Sequence, residues 1–159
     1  MEKRIFIASD KSGYDLKESI KSHLIDLGYE VDDVGTQDVD NPLPFFEAGQ
    51  LGAAQIQNGV HERGILICGT GMGMSIVANK HRGVHAAACE SVYAATKARA
   101  INDANVLCMG GWMIAPMLGI AMTEAFLDTG FTQGLEDWRA EKLKIARKVV
   151  RDLEPKNFK

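Results

Sequence analysis

Gly64-Ile65-Leu66-Ile67-Cys68-Gly69-Thr70-Gly71-Met72-Gly73-Met74-Ser75 is the stretch that decides the fold. An apolar run of strand length ends at a cysteine, breaks into alternating glycines, and resumes as a helix-like segment from Ser75. A strand this apolar has no polar face, so it belongs inside a sheet covered on both sides by helices. Glycines at 69, 71 and 73 let backbone N–H groups crowd toward a ligand without interference from a Cβ. A helix opening just beyond them adds partial positive charge. Such a loop suits an anion, either a bound phosphate or an oxyanion formed during reaction. It lacks the spacing of the dinucleotide fingerprint and the lysine of a P-loop. Cys68 at its entrance adds a titratable group, which points to chemistry rather than binding alone.

Working outward, strand-like and helix-like segments alternate. Arg4–Ser9 is an apolar run followed by the polar turn Asp10-Lys11-Ser12-Gly13. From Tyr14 the period changes: Leu16, Ile20, Leu24 and Leu27 share one helical face, and Gly28 supplies a stop. Further strands are expected at 29–34, 65–68, 84–88 and 106–109. A helix of small residues (Ala48, Gly49, Gly52, Ala53) follows a turn-rich loop at 35–44, and it could pack closely. Other helices are expected at 75–80, 91–101 and 113–127. The segment 136–153 is charged, with Ile145, Ala146, Val149 and Leu153 on one face, as in an amphipathic helix lying on the domain or on a neighbouring subunit. The expected architecture is an α/β, Rossmann-like, doubly wound sheet of five parallel strands sandwiched by helices, with a C-terminal helix. One domain over residues 1–159 is expected from the length. In such sheets ligands bind outside the carboxyl ends of the strands, where the winding reverses. The loops after Ser9, Cys68 and Met109 emerge at that edge.

Composition narrows the function classes. A net charge of −3 gives no basic footprint, so nucleic acid is a poor expectation as a partner. No apolar run approaches the ~20 residues of a membrane span, and the first residues lack the apolar core of a signal peptide. Cys68, Cys89 and Cys108 form an odd set within apolar runs, which suggests a reducing cytoplasm without a disulfide framework. No CxxC or HExxH spacing is present, so neither a metal site nor a metal cofactor is expected.

Each candidate residue has an ordinary reading beside the functional one. Most free cysteines are small core residues. Cys89 and Cys108 are read that way, whereas Cys68, at a strand end beside the glycine loop, is read as functional. Asp10 fits a site role and a helix-capping role equally well. Lys11 is a solvated side chain placed to meet a phosphate. Asn102-Asp103 is ordinary turn chemistry. His23 and His61 read as surface residues, and His81 and His85 as weak acid–base candidates flanking the fourth strand near the loop.

Five motifs occur in order between about Ile5 and Leu127: Ala8-Ser9-Asp10, Gly13 with Leu16-Lys17, the 65–73 stretch, Ala78-Asn79-Lys80, and Asn102-Asp103-Ala104-Asn105-Val106. Together they resemble the ribose-5-phosphate isomerase B and galactose-6-phosphate isomerase family. The resemblance implies a dimer or tetramer that uses no metal or other cofactor and interconverts aldose and ketose phosphates through a cis-enediolate. It implies that Cys68 is the base moving the proton between neighbouring carbons. The N–H groups of Gly69, Thr70, Gly71, Met72 and Gly73 would hold the enediolate oxygens, Thr70 and Asp10 would orient hydroxyls, and Asn102 would reach in from the partner subunit. A helix N-terminus is one way to favour the thiolate such a base requires.

The departures from the family pattern are equally specific. Lys11 replaces a histidine. Ile101, which cannot move a proton, replaces the histidine credited with opening the furanose ring. Two phosphate-gripping arginines correspond to Trp112 and Leu135, leaving Arg139 matched, with Lys11 as a second cation. The implied substrate is therefore a sugar or sugar phosphate other than ribose 5-phosphate. A four-carbon sugar phosphorylated on its terminal oxygen cannot close a furanose ring and needs no ring opener; Trp112 would stack on its apolar face. The alternatives are a paralogous subunit supplying the missing groups, a binding-only homologue, and a thiol-redox role.

Overall fold

The computed structural model describes residues 3–158. In chain order the elements are β1 (Arg4–Ser9), α1 (Tyr14–Asp26), β2 (Glu30–Asp33), α2 (Phe45–Gln57), β3 (Gly64–Cys68), α3 (Met72–Ala78), β4 (Ala86–Ala88), α4 (Val92–Asn102), β5 (Val106–Gly110), α5 (Pro116–Asp128) and α6 (Asp137–Asn157). All strand pairs are parallel, in the order β2-β1-β3-β5-β4. The chain steps from β1 out to β2 and then back past β1 to β3, so the winding reverses between β1 and β3.

The pleat of the central strands sorts the core into two layers. Ile5, Ile7, Ile65, Ile67, Leu107 and Met109 pack with Leu16, Ile20 and Leu24 of α1, Ala95 and Ala98 of α4, and Met122 and Phe126 of α5. The alternate residues Phe6, Ala8, Leu66, Cys68, Val106 and Cys108 pack with Ala48 and Ala53 of α2 and Met74 and Ala78 of α3. Close packing of α2 rests on its small residues: a Cβ at Gly52 would lie 2.6 Å from Leu66 and 2.8 Å from Phe6.

Several boundaries differ from the sequence reading. β2 and β4 are edge strands and are only partly buried, unlike the central three. β4 begins at Ala86 rather than Val84, because the backbone of His85 is engaged with Asn105. α3 starts at Met72, three residues earlier than expected, because Gly71 takes the left-handed conformation (φ 77°) and caps it. α5 begins at Pro116, with Met113 and Ile114 forming a turn on the Gly110 carbonyl. Leu27 lies past the end of α1 and is exposed, so it does not share the face of Leu24. His61 is buried rather than superficial: its ring meets Phe6 edge-on, and Nε2 lies 2.9 Å from Asp32.

A fully buried lysine ties α1 to β2. Lys17 Nζ donates to the Asp33 carboxylate and to the Thr36 carbonyl, and Glu18 lies 3.0 Å away. Lys21 reaches the same Asp33 oxygen at 2.7 Å. Burial alone would raise the Asp33 pKa, but the hydrogen bonds from Lys17 and Lys21 and the Lys17 charge prevail and hold it below the ordinary value. Asp33→Asn is expected to destabilise the fold by on the order of 3 kcal/mol, at the low end for a broken buried pair because Glu18 remains. Urea unfolding measures this. A depressed folded pKa means the stabilisation is fully present above about pH 4. It is lost as the pH falls through the lower folded value, so the variant's stability should vary less with pH in that acid range.

Candidate active site

The carboxyl ends of β1, β3 and β5 bring three loops together where the winding reverses. Asp10 continues β1 and donates its N–H to the Ile67 carbonyl at 3.3 Å, which places it beside Cys68. The Gly111 N–H donates to the Cys68 carbonyl at 2.7 Å, and the Trp112 N–H to the Gly69 carbonyl at 3.1 Å. No side chain fits between these loops. A Cβ at Gly13 would stand 2.4 Å from the Ile67 carbonyl oxygen, and one at Gly111 would stand 2.3 Å from the Ser12 carbonyl oxygen. The three loops therefore form one rigid block.

Cys68 is the last residue of β3, buried on the α2/α3 face, and its Sγ accepts the Gly71 N–H at 3.2 Å. Gly71 reaches that position only through its positive φ; a Cβ there would also lie 2.8 Å from the Met109 backbone. Thr70 Oγ1 accepts the Met72 N–H at 3.3 Å. Gly73 falls within the first turn of α3, under the Phe45 ring. The side chain of Met72 is exposed.

Asp10 Oδ1 accepts the Gly13 N–H at 3.0 Å, so it fills the loop-closing role while facing the site. Burial raises its pKa, and the backbone hydrogen bonds from Gly13 and Ser12 offset this only in part. Lys11 stands exposed on the same loop. The indole of Trp112 covers Gly69 and is itself largely exposed.

The remaining candidates lie elsewhere within this chain. Asn102 ends α4 beside the amino ends of the strands, where Asn105 leads into β5. The length of β5 alone separates the two edges by about 13 Å. Asn102 lines a groove of about 380 Å³ with His85, Ile101, Arg147 and Arg151, not the Cys68 loop. Arg139 stands exposed on the first turns of α6, which packs against α4. His81 and His85 are also at the amino-end edge, contrary to the sequence reading, because α3 runs antiparallel to the strands and carries the chain away from the loop. His81 Nδ1 lies 3.2 Å from the Val77 carbonyl. Burial and the neighbouring Arg151 hold the His85 pKa below the usual imidazole range.

A residue the sequence reading missed is Phe45, at the start of α2. A Cβ on Gly73 would lie 3.0–3.1 Å from its ring. Its sequence signal is the adjacent aromatic pair Phe45-Phe46 after a proline.

A model of the family described as ribose/galactose isomerase matches residues 5–143. The 4-deoxy-4-sulfo-D-erythrose isomerase of Clostridium sp. (strain MSTE9) is 60% identical, over 95% of each chain. The D-erythrulose-4-phosphate isomerase of Pectobacterium atrosepticum is 39% identical, over 87% of this chain and 91% of its own. Ribose-5-phosphate isomerase B from Mycoplasma genitalium, solved with bound ribulose-5-phosphate, superimposes with a TM-score of 0.80 at 32% identity, covering 94% of this chain and 97% of its own. Strand-end cysteine, glycine loop, sheet order and relatives converge: this chain belongs to the ribose/galactose isomerase family and is an aldose–ketose isomerase.

Proposed function

We propose that the chain interconverts a four-carbon aldose and its 2-ketose, each carrying a fixed anion at C4, and that a C4 sulfonate is preferred to a phosphate ester. Ile101 carries the first part of this reading. A sugar whose C4 oxygen is esterified, or whose C4 bears sulfur, has no hydroxyl able to close a furanose, so the substrate arrives open-chain and a ring-opening acid is superfluous. Charge supports the second part. A sulfonate carries one negative charge, whereas a phosphate monoester carries close to two near neutral pH. Trp112 and Leu135 stand where the family resemblance places two gripping arginines, leaving Lys11 and Arg139 as cations. The activity named for the 60% identical relative agrees with this choice.

In the proposed reaction the Cys68 thiolate takes the proton from C2 of the aldose. Electrons flow toward the C1 carbonyl to give a cis-enediolate, the hydroxyl proton passes from O2 to O1, and Cys68 delivers a proton to C1, exchanged in part with solvent while the thiol holds it, leaving the carbonyl at C2. The N–H groups of the 69–73 loop other than those of Gly71 and Met72, which are taken by Cys68 Sγ and Thr70 Oγ1, stabilise the developing O1 and O2 charge in this reading. One preorganised donor of this kind is typically worth about 3 kcal/mol in the transition state. Thr70 and Asp10 orient the hydroxyls. The whole chain acts as one isomerase domain in the cytoplasm.

A second copy completes the site in this reading, as a homodimer or a tetramer built from such dimers, and supplies Asn102 and Arg139. Large apolar side chains lie exposed on α6 (Trp138, Ile145, Val149) and at the carboxyl edge (Phe46, Met113, Met117), as an interface requires.

The test is isomerisation in D₂O with 4-deoxy-4-sulfo-D-erythrose, erythrose 4-phosphate and ribose 5-phosphate, following deuterium entry by NMR. The expected outcome is incorporation at C1 of the four-carbon ketose, faster with the sulfonate. Turnover of ribose 5-phosphate at an ordinary enzyme rate, about 10 s⁻¹, with silence from the four-carbon sugars, would overturn the reading.

A further inference from the structure

Two aromatic rings close on the glycine loop from either side. A Cβ built on Gly69 would lie 2.8 Å from Cδ2, Cε2 and Cε3 of Trp112 alike, so the fused part of the indole sits flat against that glycine. On the other flank, a Cβ on Gly73 would meet Cε2 and Cδ2 of Phe45 at 3.0 and 3.1 Å. Neither ring is a core residue: Trp112 is 74% exposed and Phe45 41%. An indole held in place yet open to solvent, one residue from the strand-end cysteine, is a wall rather than filling.

The main chain that carries it is anchored. The Trp112 N–H is bonded to the Gly69 carbonyl, and the preceding Gly111 N–H to the Cys68 carbonyl. Gly111 is in turn wedged against the Ser12 backbone. The Trp112 main chain and Cys68 thus ride on one rigid block, with the indole laid against Gly69 beside the thiol.

We infer that Trp112 sets the length of sugar the enzyme accepts, by standing where the tail of a longer chain must pass once C2 is seated at Cys68 Sγ. This rests on the four-carbon reading above and adds to it the residue that enforces the limit. A fifth carbon either presses against the indole or pushes C2 off the thiolate. Displacement of a reacting atom by about an ångström costs on the order of a hundredfold in rate, and a single methylene is generally discriminated by roughly 10- to 200-fold.

The test compares two ketoses that are both open-chain, erythrulose 4-phosphate and ribulose 5-phosphate, since each has its terminal oxygen blocked. Ring opening and head-group charge then cancel from the ratio of kcat/KM values. Wild-type protein is expected to favour the four-carbon ketose by about tenfold or more. Trp112→Ala is expected to lower that ratio by about tenfold through a gain on ribulose 5-phosphate, with Trp112→Phe between the two. A ratio indifferent to residue 112, or both activities falling in proportion, would overturn the gauge and leave the four-carbon reading standing. A wild-type preference for ribulose 5-phosphate would overturn both. Thermal melts report folding. Trp112 is exposed, and the more conservative Trp112→Phe carries the same comparison if the alanine variant is unstable.

Discussion

Replacing Cys68 by serine or alanine is expected to lower kcat by 10²- to 10⁴-fold, the usual contribution of a positioned general base, and to abolish deuterium entry from D₂O into the sugar. The serine variant separates the acceptor role of the sulfur from the proposed base role. Its hydroxyl still accepts the Gly71 N–H that now meets Sγ at 3.2 Å, so the loop keeps its shape. A neutral hydroxyl, however, is a far weaker base than a thiolate. If the sulfur mattered only as an acceptor holding Gly71, serine would restore most of the activity that alanine loses. If Cys68 were simply a small core residue, both variants would lose stability and keep kcat. Cys108 is the internal control. It lies on the neighbouring strand, on the same face of the sheet, and is fully buried. Burial pushes its thiol far above the ordinary range, with the nearby Cys68 and Cys89 adding to the effect. Cys108→Ala should cost stability by opening a small void while kcat is retained.

The parts of the fold legible in the sequence are those where one physical signal dominates. β1, β3 and β5 are uninterrupted apolar runs, and a strand buried on both faces must look like that. The edge strand β2, Glu-Val-Asp-Asp, is expected at 29–34 although it lacks such a run; it is held by pairing with β1 and by Lys17 and Lys21 gripping Asp33. Lys17 carries no expectation of burial, because nothing in a local window shows that an acidic strand end will fold over it. His61 failed for the same reason: flanked by Glu62 and Arg63 it looks solvated, yet the fold brings Phe6 and Asp32 against it. Glycine periodicity marks the loop after β3 but not the start of α3, since an alternating pattern does not say which glycine turns left-handed and caps the helix.

Within the site the division follows chain connectivity. Asp10, Cys68, Thr70 and Trp112 belong to loops at one sheet edge, so the order of strands and helices brings them together. Asn102 and Arg139 do not follow from that order. One chain leaves Asn102 at the opposite edge of the sheet and Arg139 exposed on α6, and no local pattern signals what completes them.

Mixing two inactive variants is therefore expected to regenerate activity. In the proposed assembly each site takes Cys68 from one copy and Asn102 from the other, so Cys68→Ala and Asn102→Ala each inactivate every site of their own homo-oligomer. In a mixed dimer both substitutions fall in one site and the other site is wild-type throughout. An isologous two-fold interface makes this inevitable, because each copy donates the same patch it receives. Random exchange of equal amounts yields half mixed dimers, each with one intact site, and so roughly a quarter of wild-type activity. The recovered activity should appear only after subunits exchange, for example on refolding together, and should scale with the product of the two variant fractions. Mixtures that stay inactive after proven exchange would show that Asn102 serves its own chain. Its place would then be in the groove with His85, Arg147 and Arg151, and its loss would act through the fold of its own chain rather than on the sugar.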